Sequence, residues 1–281
     1  MYPKFEKGVK KMKINDCIWE TDKLFYKHVT SESPKREDHC LHTHNVYELL
    51  YIVDGDVTHV IEDRKYKLKK GDLIIIRPLH YHYIQIDSSL TYERYNILFD
   101  PEKHNVQSVN LIPDNIEIIN LSGNKAAEDT FQRFDFYAKS CPYETFLKFI
   151  PHMLSELFLN LSIFPQKNSE ENFTSSPLIT DALRYINQNL FTVQSVEEIA
   201  KHLFVSESYL FRLFKSELHQ TPKKYIMDKR LLCAQKMIAN GERPVTVCDT
   251  CGFGDYTTFY RNYSAFFGHS PSDENRTNQQ S

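Results

Sequence analysis

The sequence lacks a long apolar run. No stretch approaches the roughly 18 consecutive apolar residues that a membrane-spanning helix requires. The lysines between Lys4 and Lys13 have no apolar run behind them, so the N-terminus does not match a secretory signal. Six cysteines in a chain of 281 residues do not make a disulfide framework. These absences predict a cytoplasmic protein with reduced thiols and no membrane partner.

The chain also has little excess positive charge. Its formal net charge is −3, and the residues from Thr174 onward carry 12 Lys and Arg against 11 Asp and Glu. A region this weakly basic does not supply a broad positive field for nucleic acid. Any DNA binding must therefore depend on a few placed cations and on helix N-termini, and non-specific binding should be modest.

The C-terminal third contains one helical pattern twice. Ser206, Leu210, Arg212, Phe214 and Thr221-Pro222 recur 49 residues later as Asp255, Phe259, Arg261, Tyr263 and Ser270-Pro271. Each copy predicts two short helices joined by a tight turn, with the Ser or Asp capping the second helix. Two such units in one rigid piece suit two successive major grooves of DNA.

A long helix from Pro222 to about Ala239 is predicted between the two units. At about 1.5 Å per residue, it could hold them near the roughly 34 Å spacing of one DNA turn. The outward faces of the second helices are the candidate DNA contacts. They carry Ser208, Phe211, Arg212 and Lys215 after the cap Ser206 in the first unit, and Tyr256, Thr257 and Arg261 in the second.

The segment "EEIAKHLFVSESYLFRLFKSELHQTPKKYIMDKRLLCAQKMI", followed by "CGFGDYTTFYRNYSAFFGHSP", resembles the DNA-binding domain of AraC/XylS-type transcriptional regulators. The resemblance covers about a third of the chain and implies double-stranded promoter DNA as a partner, with RNA polymerase as a further one. It also implies base contacts from Ser208, Phe211, Arg212, Tyr256, Thr257, Thr258 and Arg261. One departure is Ser264, where the family usually has a lysine.

Short β-rich runs broken by turn signals occupy the region from about Leu24 to Phe99. Many short strands at this spacing favour an all-β barrel or sandwich. The runs are His42 to Val53, Val57 to Ile61, Tyr66 to Leu68, Leu73 to Ile76, His82 to Ile86 and Tyr95 to Phe99.

Histidines are concentrated in two of these runs. In "HTHNVYELLYIVDG", strand alternation would place His42, His44 and Glu48 on one face, and "GDLIIIRPLHYHY" could add His82 from an opposing strand. These segments resemble the two cupin motifs and the cupin-like sensor domain of many AraC-type regulators. The resemblance implies a ligand-sensing barrel, in which His42, His44, Glu48 and His82 are candidate ligand-binding residues. Tyr47 and His80 are further candidates, because they lie near these positions in the sequence.

Three interpretations of the histidines remain open. They could bind a small hydroxylated effector without metal, and a sugar is a family-level expectation. Three imidazoles and a carboxylate (His42, His44, Glu48, His82) could instead hold a transition metal, as in a metal-dependent cupin enzyme carrying a DNA-binding domain. They could also simply satisfy one another. We favour the first, and so expect no cofactor, no metal and no catalytic residues.

A broad apolar stripe marks the helical region that follows. It comprises Phe146, Phe149, Ile150, Leu154, Leu157, Phe158 and Leu161. The stripe could pack on the barrel of its own chain or pair with the same helix of a second copy, which would make a homodimer.

The predicted architecture is α+β with several domains. An N-terminal arm at 1–20 precedes a cupin-like ligand-sensing β-barrel at 21–105 and a helical connector and dimerisation region at 106–165. A linker at 166–177 then leads to an all-α DNA-binding domain at 178–276 with two helix-turn-helix units. This organisation predicts a ligand-responsive regulator.

Overall fold

The computed structural model describes residues 24–32, 41–163, 173–174 and 176–274. They fall into two compact units that divide between Thr180 and Asp181. The first unit contains all the described strands, whereas the second is helical. This confirms the predicted α+β fold class. The predicted arm at 1–20 and most of the predicted linker at 166–177 lie outside the described residues.

The described strands form two antiparallel sheets, ordered β1-β7-β2-β5-β8 and β6-β3-β4-β9. They are β1 (Phe25–Ser31), β2 (Tyr47–Asp54), β3 (Val57–Ile61), β4 (Arg64–Lys67), β5 (Asp72–Ile76), β6 (His82–Ile86), β7 (Tyr92–Phe99), β8 (Ile118–Asn120) and β9 (Phe173–Thr174). The sequence pattern does not predict β1, which is largely polar, or β8, which has three residues. The predicted first run is also too long, because β2 begins at Tyr47 and not at His42.

The first sheet buries side chains on both faces, since residues alternate along each strand. Leu49, Leu73 and Ile97 belong to a core that includes helices α1 (Lys125–Ser140) and α2 (Tyr143–Ile163). Leu50 and Ile74 belong to a second core, shared with β3, β4 and β6 of the other sheet. The predicted helical connector therefore packs on the sheet of its own unit.

Most of the predicted apolar stripe on α2 is buried in that first core. Phe149 is the exception, because 52% of it is exposed. Phe149 therefore does not pack on the sheet of its own chain, because the helical period places it at the edge of the stripe, on the side that the sheet does not cover.

The second unit consists of α3 (Pro177–Gln188), within which the division between units falls, α4 (Val196–His202), α5 (Glu207–Leu218), α6 (Pro222–Ala239), α7 (Pro244–Thr250) and α8 (Tyr256–Phe267). Side-chain oxygens cap α5 and α8 as predicted. Ser206 accepts from Tyr209 N at 3.2 Å, and Asp255 accepts from Thr258 N at 2.7 Å. None of the described helices is long and apolar enough to cross a membrane.

Candidate functional site

The helix pairs α4–α5 and α7–α8 have matching turns. Phe204 N donates to Lys201 O and Val205 N to Ala200 O, while Gly252 N donates to Asp249 O and Phe253 N to Cys248 O. Phe204 thus matches Gly252, an offset of 48 residues, whereas the caps Ser206 and Asp255 differ by 49. The predicted offset of 49 residues holds from the caps onward, whereas the turns before them are offset by 48 because the second turn is one residue longer.

The second helix of each pair buries one face and exposes the other. The buried residues are Leu210, Phe214 and Leu218 on α5 and Phe259, Tyr263 and Phe267 on α8. The exposed residues include Ser208, Phe211, Arg212 and Lys215 on α5 and Thr257, Tyr260 and Arg261 on α8. Among the other candidates, Ser206 is exposed, and Tyr256 and Thr258 are half-buried. Both candidate arginines therefore lie on the outer surface.

Helix α6 is tied to the second turn by a buried arginine. Arg230 donates from Nε to Leu190 O at 2.7 Å, from Nη2 to Val193 O at 2.6 Å and from Nη1 to Gly252 O at 2.7 Å. Burial lowers the pKa of Arg230, yet three carbonyl acceptors compensate the buried charge. This network fixes the second turn relative to α6 and to the segment after α3.

In the compact unit that contains the strands, the structure brings together four of the six predicted ligand-binding residues. One ligating atom each from His42, His44, Glu48 and His82 lies within 4.8 Å of all the others. His42 precedes β2 and forms an isolated bridge with His82, in which each backbone N–H donates to the other residue's carbonyl at 2.9 to 3.0 Å. The predicted route to this cluster is wrong, since His42 and His44 are not on the strand that carries Glu48.

The ring nitrogens of two histidines have distinct partners. Nδ1 of His44 lies 2.9 Å from Val46 O, and Nδ1 of His82 lies 2.9 Å from His80 O. A carbonyl only accepts, so both Nδ1 atoms carry hydrogens. The two Nε2 atoms then face the same oxygen, Oε2 of Glu48, at 2.9 Å each.

The Glu48 carboxylate is the charged centre of this cluster. Burial raises its pKa, but the contacts with His44 and His82 outweigh burial and hold the pKa well below its usual value. Asn96 on β7 donates from Nδ2 to Glu48 Oε1 at 2.7 Å. Both carboxylate oxygens are therefore engaged.

The two remaining candidates lie elsewhere. Tyr47 faces the helix-side core and stacks on Phe99, with ring centroids 5.6 Å apart. His80 lies with Nδ1 3.8 Å from Oε1 of Glu117. Tyr47 precedes Glu48 on the strand, so alternation alone could have placed it on the opposite face.

Sequence reasoning missed two residues beside the cluster. Asn96 reaches Glu48 because β7 pairs with β2, a register that no local pattern encodes. His59 on β3 is fully buried, and its ring centroid lies 5.9 Å from that of His82. The burial of His59 was predictable, because Val57 and Ile61, two residues away on either side, are apolar.

Comparisons with known proteins match both units. A helix-turn-helix domain matches residues 199–277, and an AraC-like ligand binding domain matches residues 30–105. The regulatory protein SoxS of Escherichia coli (strain K12) is 31% identical over 97 residues, which cover 34% of this chain and 91% of SoxS. The uncharacterized HTH-type transcriptional regulator YfiF of Bacillus subtilis (strain 168) is 22% identical over 264 residues, which cover 90% of this chain and 83% of YfiF.

A solved transcriptional regulator from Chromobacterium violaceum with an AraC-type DNA-binding domain is 30% identical. The match covers 38% of this chain and 96% of that one, with a TM-score of 0.35. The fold and the sequence matches together define a transcriptional regulator that combines a helix-turn-helix domain with a ligand-binding domain. The chain belongs to the AraC family of transcriptional regulators.

Proposed function

We propose that this regulator binds promoter DNA through both helix-turn-helix units and that a small polar molecule in the sensor unit alters this binding. The observation that carries the proposal is the exposure of Arg212 and Arg261 on the outer faces of α5 and α8, within one compact unit. A ligand changes transcription only if it binds one arrangement of the protein better than another. That difference in affinity is the switch.

The outer faces contain suitable groups for reading bases. An arginine that contacts guanine through two hydrogen bonds supplies about 1 to 3 kcal/mol of discrimination. Phe211, 46% exposed, is suited to apolar contact with a thymine methyl group. Ser208, Thr257 and Thr258 offer hydroxyl groups to bases or phosphates, as do Ser206 and Tyr256 at the starts of the two helices.

The test compares specific with random DNA. Genomic fragments enriched by the purified full chain serve as the specific probe, and a shuffled fragment of equal length serves as the random one. Arg212→Ala or Arg261→Ala should weaken binding to the enriched fragment about 5- to 100-fold and to random DNA much less. Arg184→Ala, which removes an exposed arginine of α3 outside the reading helices, is the matched control. An equal loss of affinity for both DNAs would mean that the two arginines contact only phosphates and do not read bases.

The proposed effector site is the inter-sheet face around Glu48. His42, His44, Glu48 and His82 converge there, and a few convergent polar groups are typical of ligand-binding sites. A sugar remains one candidate effector, because hydroxyl groups pair with imidazole and carboxylate groups. Tyr47 and His80 do not enter this proposal, because they lie away from the cluster.

The same cluster favours a second candidate function, that of a metal-dependent protein. Three imidazoles and one carboxylate suit a divalent first-row transition metal, and their ligating atoms lie close enough together to share one ion. Elemental analysis of the purified chain separates the two candidates. Stoichiometric zinc, iron or manganese that is lost in a His42→Ala/His44→Ala variant would support the metal function. Substoichiometric metal that the variant retains would reject it.

The sensor unit also offers a surface for a homodimer. Phe149, His152, Glu156, Leu159 and Ile163 recur at intervals of three and four along α2, and all five are exposed. The spacing matches that of a two-helix seam, in which the apolar members would be Phe149, Leu159 and Ile163, and 56% of Leu159 and 72% of Ile163 are exposed. We propose that two copies pair through this seam. Sedimentation should show a dimer that Leu159→Glu dissociates, and an unchanged mass would exclude the seam.

A further inference from the structure

An arginine of the sensor unit faces the inter-sheet interior. Arg94 lies on β7, paired with Val29 of β1 and Ile52 of β2. Its neighbours at alternate positions, Tyr92 and Asn96, point between the sheets: Tyr92 belongs to the inter-sheet core and Asn96 contacts Glu48. Because strand side chains alternate, Arg94 projects to that same side.

The guanidinium of Arg94 has no anionic partner among the described residues. Its Nε and Nη1 atoms are enclosed by protein and make no hydrogen bond within the part of the chain that the structure describes. Its Cζ atom lies 4.6 Å from the centroid of the Tyr92 ring. This contact with the ring does not satisfy the N–H groups of Nε and Nη1 through a hydrogen bond to an oxygen, so they remain available to a ligand.

The neighbouring carboxylates are already engaged. Glu93 points to the other face of β7, where its Oε1 lies 2.8 Å from Nε2 of His28. Glu48 contacts His44 and His82 through Oε2 and Asn96 through Oε1. Neither carboxylate neutralises the Arg94 charge by direct contact.

Arg77 and Arg230 have hydrogen-bond acceptors of the kind that Arg94 lacks. Arg77 donates to Ile116 O at 2.9 Å and to Pro113 O at 2.7 Å, and Arg230 donates to three carbonyls. Arg94 is half-buried, but its enclosed Nε and Nη1 atoms lack such partners, and an enclosed cationic donor without an acceptor is costly. The free donors of Arg94 therefore suit an acceptor group on a bound ligand.

A third unsatisfied atom belongs to Asn96, two residues along the strand from Arg94. Oδ1 of Asn96 is buried and accepts no hydrogen bond among the described residues, although Nδ2 of the same amide donates to Glu48. Residues two apart on one strand face are separated by about 7 Å. The interior thus offers cationic donors from Arg94 and, one step along the strand, a neutral acceptor from Asn96.

We propose that the effector of this regulator is a small organic anion that also carries a hydroxyl group. Its carboxylate or phosphate pairs with the Arg94 guanidinium, and its hydroxyl donates to Oδ1 of Asn96. The proposal rests on the proposed function, in which the sensor unit binds a small polar molecule, and it narrows the effector from polar compounds in general to anions. A neutral sugar leaves Arg94 without a counter-charge.

The first test needs no ligand. Arg94→Met keeps much of the side-chain length and removes the charge, so in buffer with chloride as the only small anion the variant should be at least as stable as the wild type. Urea unfolding of the full chain measures this. A fall of more than tenfold in the folding equilibrium constant would overturn the proposal, because Arg94 would then have a structural partner.

The second test uses defined probes at constant ionic strength: sodium acetate, sodium phosphate, D-gluconate, D-glucose 6-phosphate and neutral D-glucose. At least one anion should raise the melting temperature of the wild type in a saturable way, beyond sodium chloride. Its affinity should fall about 100-fold in Arg94→Met and should be unchanged in Arg133→Met, an arginine of α1. Acetate and gluconate against phosphate and glucose 6-phosphate distinguish carboxylate from phosphate recognition.

The outcomes separate this inference from the proposed function. Equal responses of wild type and Arg94→Met, or no stabilising anion, overturn the anion site. If glucose alone stabilises both proteins, the proposal of a polar effector is supported and the proposal of an anion site at Arg94 is rejected. If an anion binds through Arg94 but leaves the affinity of the protein for the enriched DNA fragment unchanged, the anion site is supported. The proposed coupling of effector binding to DNA binding is then rejected.

Discussion

The turns of the two helix-turn-helix units begin with the same hydrogen bonds and with a left-handed residue, but that residue is very different in the two units. Phe204 adopts a φ of 56° with 96% of its surface exposed, whereas Gly252 adopts a φ of 73° against packed backbone. A Cβ atom on Gly252 would lie 2.1 Å from Phe191 O. The hydrogen bonds of the turn impose the left-handed conformation in both units, while the surroundings decide whether a side chain fits.

The reading faces of the two units also differ in charge. Helix α5 exposes Arg212 and Lys215, whereas α8 exposes Arg261 and has the half-buried Ser264 at the position of Lys215. Each lysine near DNA adds a phosphate contact and steepens the dependence of binding on salt. In the proposed complex, the first helix-turn-helix unit should therefore bind the DNA backbone more strongly than the second.

The largest effect is expected at the second turn. Gly252→Ala places a Cβ atom against the backbone of Phe191 in a residue with a left-handed φ. It should lower the free energy of unfolding of the helical domain by about 3 kcal/mol or more. Urea or thermal unfolding of the full chain measures the loss. A cost below about 1 kcal/mol would show that Phe191 and the Arg230 network shift easily, which would contradict a rigid second turn.

A smaller effect is expected at the helix caps, and here pH separates the units. Ser206→Ala should cost about 1 kcal/mol at any pH, because a hydroxyl cap does not titrate. Asp255 caps α8, and its backbone hydrogen bond from Thr258, followed by the side-chain bond to the same residue, lowers its pKa. A carboxylate whose pKa is depressed by folding stabilises above its unfolded pKa and loses this effect as pH falls.

The destabilisation caused by Asp255→Ala should consequently shrink as pH falls below about 4, whereas that of Ser206→Ala should not. Unfolding of both variants at pH 7 and at successively lower pH checks this. Parallel behaviour of the two variants would mean that Asp255 does not act through its charge.

The smallest effect is expected at the first turn, and it has the opposite sign. Glycine relieves the left-handed strain of Phe204, about 1 to 2 kcal/mol, but adds entropy to the unfolded chain, about 0.5 to 1 kcal/mol. Phe204→Gly should therefore stabilise the second unit by about 0.5 kcal/mol. Destabilisation by this variant would show that the exposed phenyl ring makes a contact that holds the turn.

Sequence predicted best what local chemistry encodes. The caps Ser206 and Asp255 and the prolines at 222 and 244 mark helix starts that the structure confirms, and each signal acts within a few residues. The exposure of Phe149 was not predictable, because periodicity indicates an apolar face but not how far a neighbouring sheet covers it.

The sequence predicted only part of the histidine cluster of the sensor unit. The part that it missed depends on contacts between residues far apart in the chain. His42, His44, Glu48 and His82 were identifiable by residue type and spacing, although the bridge between His42 and His82 joins them in place of a shared strand. Asn96 and Arg94 were missed, because their position depends on the pairing of β7 with β2 across more than forty residues of chain. Such register follows from the whole sheet and has no local signal.

The central claim is that both units contact one DNA duplex together, each through its own arginine. Hydroxyl-radical footprinting of the enriched fragment tests it most directly. We expect two protected segments about one helical turn apart, with Arg212→Ala weakening one and Arg261→Ala weakening the other. A single protected segment, or two substitutions that affect the same segment, would contradict the account.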